Sequence, residues 1–197
     1  MAFIRTTPPS DAEGPVRDMY EHVQGRLGYV PNWATAFSLR PGVLEGWTAL
    51  LKSIQSNLPV RSYELATLAA ARAVRSSYCS LAHGNVLATK VFDAPTVTAI
   101  MKNDPASPLE ARERVMMAFA EKVAANADRI TAADIEDLRS HGYRDEEIFD
   151  LAAAAAARCF FSKLIDALGI QADATFNDLD PALRQALTVG RPVAERG

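Results

Sequence analysis

Apolar positions recur at helical spacing along most of the 197-residue chain. Val115, Phe119 and Val123 fall every four residues and draw one stripe down a helix. Ser107-Pro108-Leu109-Glu110 predicts where that helix starts. It offers a capping serine, proline at the first helical position and a glutamate three residues after the cap. Thr131 to Asp134 repeats the capping pattern ahead of Ile135 and Leu138, and His141-Gly142 suits a left-handed helix end. Asp145 is the expected cap of the next helix, with Glu146 and Glu147 in its first turn and Gly169 at its end. Upstream, Ser62 precedes a pattern through Leu65, Leu68 and Ala71. A further helix starts near Ser76 or Ser77 and continues towards Lys90. No stretch alternates apolar and polar residues, and no Asn-Gly or Asp-Gly marks a hairpin. The expected fold class is all-α.

The two ends read differently from the middle. Prolines 8, 9, 15, 31, 41 and 59 predict short helices and turns over residues 1–60. Tyr29, Trp33, Phe37 and Trp47 make this segment pack on the body, as core completion in preference to a lid or an oligomer contact. Residues 61–170 form the helical core. Residues 171–197 are a tail in which Asp180-Pro181 opens a short helix before a frayed end. A shift of 83 residues places Glu64 and Leu68 to Ala71 on Glu147 and Leu151 to Ala154, and Arg75 on Arg158. Eight of the 20 residues from 64 to 83 match. This raises an internal duplication of a helical unit, against the alternative of two unrelated alanine-rich helices.

Composition narrows the function. Hydrophobic residues are 49% and charged residues 23% of the chain, the balance of a soluble globular domain. Lys and Arg number 21 against 24 Asp and Glu, a net charge of −3, so no basic surface for nucleic acid is expected. The longest apolar run, Leu151 to Ala157, is too short to cross a membrane. The first residues lack the basic and apolar regions of a signal peptide, so a cytoplasmic location is expected. Two cysteines do not make a disulfide scaffold. No Gly-x-Gly-x-x-Gly and no phosphate loop occur, so no cofactor is expected.

Cys79 and His83 are the pair that carries chemistry. Four residues apart on a helix, they share a face, and a helix starting at Ser76 or Ser77 puts Cys79 in its first turn. There the helix N-terminus and a nearby imidazolium favour thiolate. Glu64, 15 residues earlier, reaches this pair if the two helices pack together; its carboxylate then orients the imidazole that acts as base for the thiol. Tyr78 adds a hydroxyl that can donate to a substrate oxygen. A metal site is not expected, because His22 and His141 are distant in sequence and no Cys-x-x-Cys is present.

Glu64 followed by Ser76-Ser77-Tyr78-Cys79-Ser80-Leu81-Ala82-His83 resembles the signature of the AhpD-like, or carboxymuconolactone decarboxylase, superfamily. Gly28 to Asn32, Arg40 to Leu44, Thr131 to Gly142 and Glu147 to Asp150 resemble its peroxidase-related, alkylhydroperoxidase-like subgroup. The resemblance implies an AhpD-like helical bundle and a homo-oligomer: dimer, trimer or hexamer. It also implies a thiol-dependent peroxidase in which Cys79 attacks an organic hydroperoxide, with His83 and Glu64 as proton relay and Tyr78 or Ser76 in support. Ser76 stands where two-cysteine members carry the resolving thiol, which leaves three outcomes: an external thiol reduces the oxidised Cys79, Cys159 resolves it, or peroxidase activity is weak or absent. Two other readings stay open. One is a decarboxylase-like lyase using Glu64 and His83 with Arg72, Arg75 or Arg158 as carboxylate anchor. The other is a non-catalytic oligomeric scaffold or redox sensor.

Overall fold

A computed structural model describes residues 2–196. Among them there are ten α-helices and no strand, so the fold is all-α. The centre is α4 (Val60–Ala73), whose Leu65, Ala66 and Leu68 to Ala71 are all fully buried. From Tyr63 to Ala71 this helix is buried on every face, so it has no solvent side there. It is enclosed by α5 (Ser77–Lys90), α7 (Ala111–Asn126) and α9 (Asp145–Ala167). The alanines of α4 and α9 supply little bulk, which lets these backbones approach closely. Around this centre, α1 (Gly14–Leu27) and α3 (Pro41–Gln55) lie on the α9 side, with the short α2 (Asn32–Ala36) between them in sequence. Against α5, and against each other, pack α6 (Ala94–Met101) and α10 (Pro181–Leu187), while α8 (Ala132–Ser140) bridges α7 and α9.

Several boundaries differ from the sequence reading for identifiable reasons. Ser107 does not cap α7. That helix begins at Ala111 with Glu110 at its cap, because the Glu113 carboxylate accepts from the Glu110 N–H at 2.9 Å and is gripped by both arms of Arg61. Asp145 is likewise the first residue of α9 and not its cap. Its carboxylate is drawn to Arg139, and Glu147 accepts from the N–H of Arg144 at the cap position. Ser62 lies inside α4, which starts two residues earlier behind Pro59. Thr131 and Asp134 do form the expected capping pair, and Gly142 takes the left-handed conformation (φ 85°) after α8.

The first 60 residues are not a string of short pieces, since α1 and α3 have 14 and 15 residues. Pro15 and Pro41 sit in the first turn of these helices, where a missing N–H costs nothing and the fixed φ favours helix. Pro31 and Pro59 precede α2 and α4. Phe37, Leu44 and Trp47 join the same buried cluster as the core helices. The 83-residue shift does not relate two copies of one unit. It pairs α4, a break at Arg75 (φ 58°) and α5 with a single unbroken α9, and it pairs exposed Arg75 with buried Arg158.

The tail is tied down and not frayed over its described length. Asp180 caps α10, which buries Leu183 and Leu187, and Ala194 N–H donates to the Ala172 carbonyl. Gly190 N–H donates to Ser77 Oγ at 2.8 Å, at the very start of α5. A Cβ at residue 190 would lie 2.0 Å from the Arg75 carbonyl oxygen, a backbone atom with little room to yield. Gly190→Ala is therefore expected to cost about 1–3 kcal/mol, as overpacking does. Thermal denaturation would show it as a lower Tm, and limited proteolysis as faster cleavage after α10.

Candidate active site

The chain reverses direction between α4 and α5 at Val74-Arg75-Ser76. Ser76 holds the extended cap position, and the first helical bond of α5 runs from Ser80 N–H to the Ser76 carbonyl. Cys79 is thus the third residue of α5, within reach of the partial positive charge of its N-terminus. One turn later comes His83. Both residues line a cavity of about 680 Å³ enclosed by α1, α3, α5, α9 and the 173–179 segment.

Glu64 reaches His83 from α4, because α4 and α5 pack side by side. Its Oε2 lies 2.6 Å from His83 Nδ1, and both side chains are largely buried. A carboxylate can only accept, so Nδ1 carries the proton and Nε2 keeps its lone pair. Burial holds the His83 pKa below its ordinary value, and the nearby Arg158 charge pushes in the same direction, while Glu64 opposes both. At neutral pH the imidazole is therefore uncharged and able to take a proton.

Arg158 is the residue that the sequence reading did not place at the thiol. It projects from α9 and is 5% exposed. Its Nη1 donates to Cys79 Sγ at 3.7 Å and its Nη2 to the Tyr63 hydroxyl at 3.3 Å. The rings of Trp47 and Phe161 lie 5.8 and 5.6 Å from its Cζ, close enough for cation–π attraction. No carboxylate pairs with this guanidinium, and its Nε has no hydrogen-bond partner among the described residues. Burial works against the charge, but Cys79 and Tyr63 outweigh it and hold the Arg158 pKa above its usual value. A buried cation without an acid is costly unless an anion completes it. Arg158 donates to two groups that can ionise, and since a thiol is ordinarily a stronger acid than a phenol, the Cys79 sulfur is better suited than the Tyr63 hydroxyl to become that anion. The sequence did carry a signal, a single charge between six alanines and Cys159-Phe160-Phe161, but its partner lies 79 residues away. Of the three arginines considered as anchors, only Arg158 lines the cavity. Arg72 is paired with Glu121 and Asn103, and Arg75 is exposed.

The remaining sequence candidates are placed as follows. Tyr78 lines the cavity, but its hydroxyl donates to Asp173 Oδ2 and accepts from Trp33 N–H. Burial, then the Asp173 charge, raises its pKa well above the ordinary value, so it stays protonated. Asp173 was also missed in the sequence. It accepts from the Tyr29 hydroxyl at 3.2 Å and from Asn32 N–H at 2.7 Å, while Asn32 Nδ2 donates to the Gln171 carbonyl. These bonds clamp residues 29–32 to 171–173 and close one side of the cavity. Ser76 is fully buried behind Cys79 and does not line the cavity. Cys159 is half-buried on another face of α9, with its Sγ turned to the Ala124 carbonyl of α7, and both cysteines are free. Burial pushes the Cys159 thiol pKa up. Among the described residues no group of three or more His, Cys, Asp or Glu is arranged to hold a metal ion, and no helix is long and apolar enough to cross a membrane.

No family model matches the sequence, and no curated protein matches it. Solved structures do resemble it. An uncharacterised peroxidase-related protein from Ralstonia eutropha JMP134, described as an alkylhydroperoxidase AhpD core, superposes with a TM-score of 0.77 at 22% identity. That likeness covers 96% of this chain and 98% of the other. An uncharacterised peroxidase-related protein from Silicibacter sp. TM1040 gives 0.73 at 24% identity, covering 89% of this chain and 98% of the other. A cysteine-to-alanine variant of the debrominase Bmp8, in complex with 2,3,4-tribromopyrrole, gives 0.71 at 19% identity over 94% and 95%. These likenesses show the fold of AhpD-like, peroxidase-related proteins.

Proposed function

We propose that this protein is a thiol-dependent peroxidase that reduces organic hydroperoxides at Cys79. The observation that carries the reading is the buried, acid-free guanidinium of Arg158 against the Cys79 sulfur in an apolar cavity. His83 Nε2 takes the thiol proton, and Arg158 stabilises the thiolate that results. The sulfur attacks the terminal oxygen of the hydroperoxide, and the O–O bond breaks. The leaving alkoxide takes the proton held on His83, while Glu64 keeps the ring in register. The products are a Cys79 sulfenic acid and an alcohol; sulfur has lost two electrons and the hydroperoxide has gained them. With Ser76 in the resolving position and Cys159 turned towards α7, an external thiol returns Cys79 to the reduced state in two steps, releasing water and a disulfide.

A short pulse of cumene hydroperoxide with a sulfenic-acid trap, read by intact mass, tests this. The wild-type chain is expected to gain one trapped adduct, and Cys79→Ser none. A loss of two hydrogens instead would assign resolution to Cys159. If wild type stays unmodified while both thiols are free, the peroxidase reading fails. A lyase relying on Glu64 and His83 would survive Cys79→Ser.

A second reading uses the same sulfur. Trp33, Trp47 and Phe161 line the cavity and suit a flat aromatic substrate, and the debrominase that shares the fold was captured with a brominated pyrrole. Bromide release from 2,3,4-tribromopyrrole, without hydroperoxide consumption, would select reductive dehalogenation.

A further inference from the structure

The cavity that holds Cys79 is polarised from end to end. Its inner end is buried and carries Cys79 and Arg158. Its outer edge carries Arg26 from α1 and Lys52 from α3, both exposed. Within the described residues neither of these two side chains makes an ion pair or a hydrogen bond, so both charges are available to a ligand at the mouth. The wall has one carboxylate, Asp173, and its oxygens are already occupied by Tyr29, Asn32 and Tyr78. Between the two ends the walls are apolar and aromatic, with Trp33, Trp47 and Phe176 among them.

In a chain with net charge −3, two free cations at the mouth of an apolar cavity form a local field of the opposite sign. We infer that the substrate is an amphipathic anion, a hydroperoxide whose apolar body ends in a carboxylate, as in a fatty-acid hydroperoxide. The inference rests on the peroxidase reading for its reactive group. Its recognition element is separate: Arg26 and Lys52 hold the carboxylate at the mouth, the aromatic walls hold the chain, and the hydroperoxide group reaches Cys79 at the inner end. A cavity of about 680 Å³ is of the size that takes a ligand of this kind.

Two measurements test this separately from the chemistry. The first compares kcat/KM for linoleic acid hydroperoxide and for its methyl ester. Wild type is expected to favour the acid by about tenfold, with the preference falling as salt rises, and Arg26→Gln combined with Lys52→Gln is expected to bring the ratio close to one. The second needs no turnover. Quenching of Trp33 and Trp47 emission in Cys79→Ser protein is followed with laurate and with methyl laurate, both below micelle-forming concentrations. Laurate is expected to bind about tenfold more tightly than its ester, and the double substitution is expected to remove the difference. Both substituted side chains are exposed, and circular dichroism confirms that the variant is folded. If hydroperoxides are consumed with no preference for the acid, or if the preference survives the double substitution, the inference is overturned and the peroxidase reading stands. If no hydroperoxide is consumed but laurate binding depends on Arg26 and Lys52, the peroxidase reading falls and carboxylate recognition stands.

Discussion

Arg158→Met should slow alkylation of Cys79 by iodoacetamide at neutral pH by about tenfold or more, and hydroperoxide consumption by at least as much. One factor of ten corresponds to about 1.4 kcal/mol of differential stabilisation, a modest demand on a buried guanidinium 3.7 Å from the sulfur. Methionine keeps an apolar stem of similar length against Trp47 and Phe161, and replacing a buried charge by a packed apolar group is often neutral or stabilising. The fold should therefore survive, with Tm unchanged or higher. Arg158→Lys should not restore the rate, because a single ammonium cannot serve Cys79 and Tyr63 together as the guanidinium fork does. If Arg158 acted only as packing, the Met variant would change Tm and leave the alkylation rate where it was.

Glu64→Gln is expected to lower kcat/KM for cumene hydroperoxide by about a hundredfold, in the range that general acid–base catalysis contributes. Glutamine can still accept the Nδ1 proton of His83 through its side-chain oxygen, so the ring keeps its place and only the charge is lost. The direction of the accompanying pH effect follows from the forces on His83. Burial and Arg158 lower its pKa, and Glu64 is the group that opposes them. Without the carboxylate, His83 holds a proton less readily and stays neutral to lower pH. Because the neutral ring is the base, the acid limb of the kcat/KM profile should move to lower pH as the plateau drops. The profile is recorded from about pH 8 down to the lowest pH at which circular dichroism shows both proteins folded, because the limb lies below the ordinary histidine range. A limb that stays in place would mean that Glu64 only holds the helices together.

These two predictions differ in how far sequence reaches. Cys79 and His83 share a face because the α-helix repeats every 3.6 residues, and that was legible at once. Glu64 was legible by one further step, since a short reversal at Arg75-Ser76 folds α4 and α5 side by side. The capping pair Thr131 and Asp134 and the left-handed Gly142 were legible for the same reason: their bonds close within a few residues. Local rules failed where a distant partner competed for the same group. Arg61 drew Glu113 and moved the start of α7, and Arg139 drew Asp145 away from its cap.

The sequence by itself determined the all-α class, most helix positions, the shared helix face of Cys79 and His83 and the resemblance that pointed to a fold. Only the tertiary structure decided what surrounds the sulfur. Arg158, Asp173 and the mouth cations Arg26 and Lys52 come from segments far apart in sequence, and no periodicity within one helix specifies which face of α9 meets α5. That choice belongs to packing, in which the alanines of α4 let α9 approach until a buried charge and a thiol share one wall of the cavity.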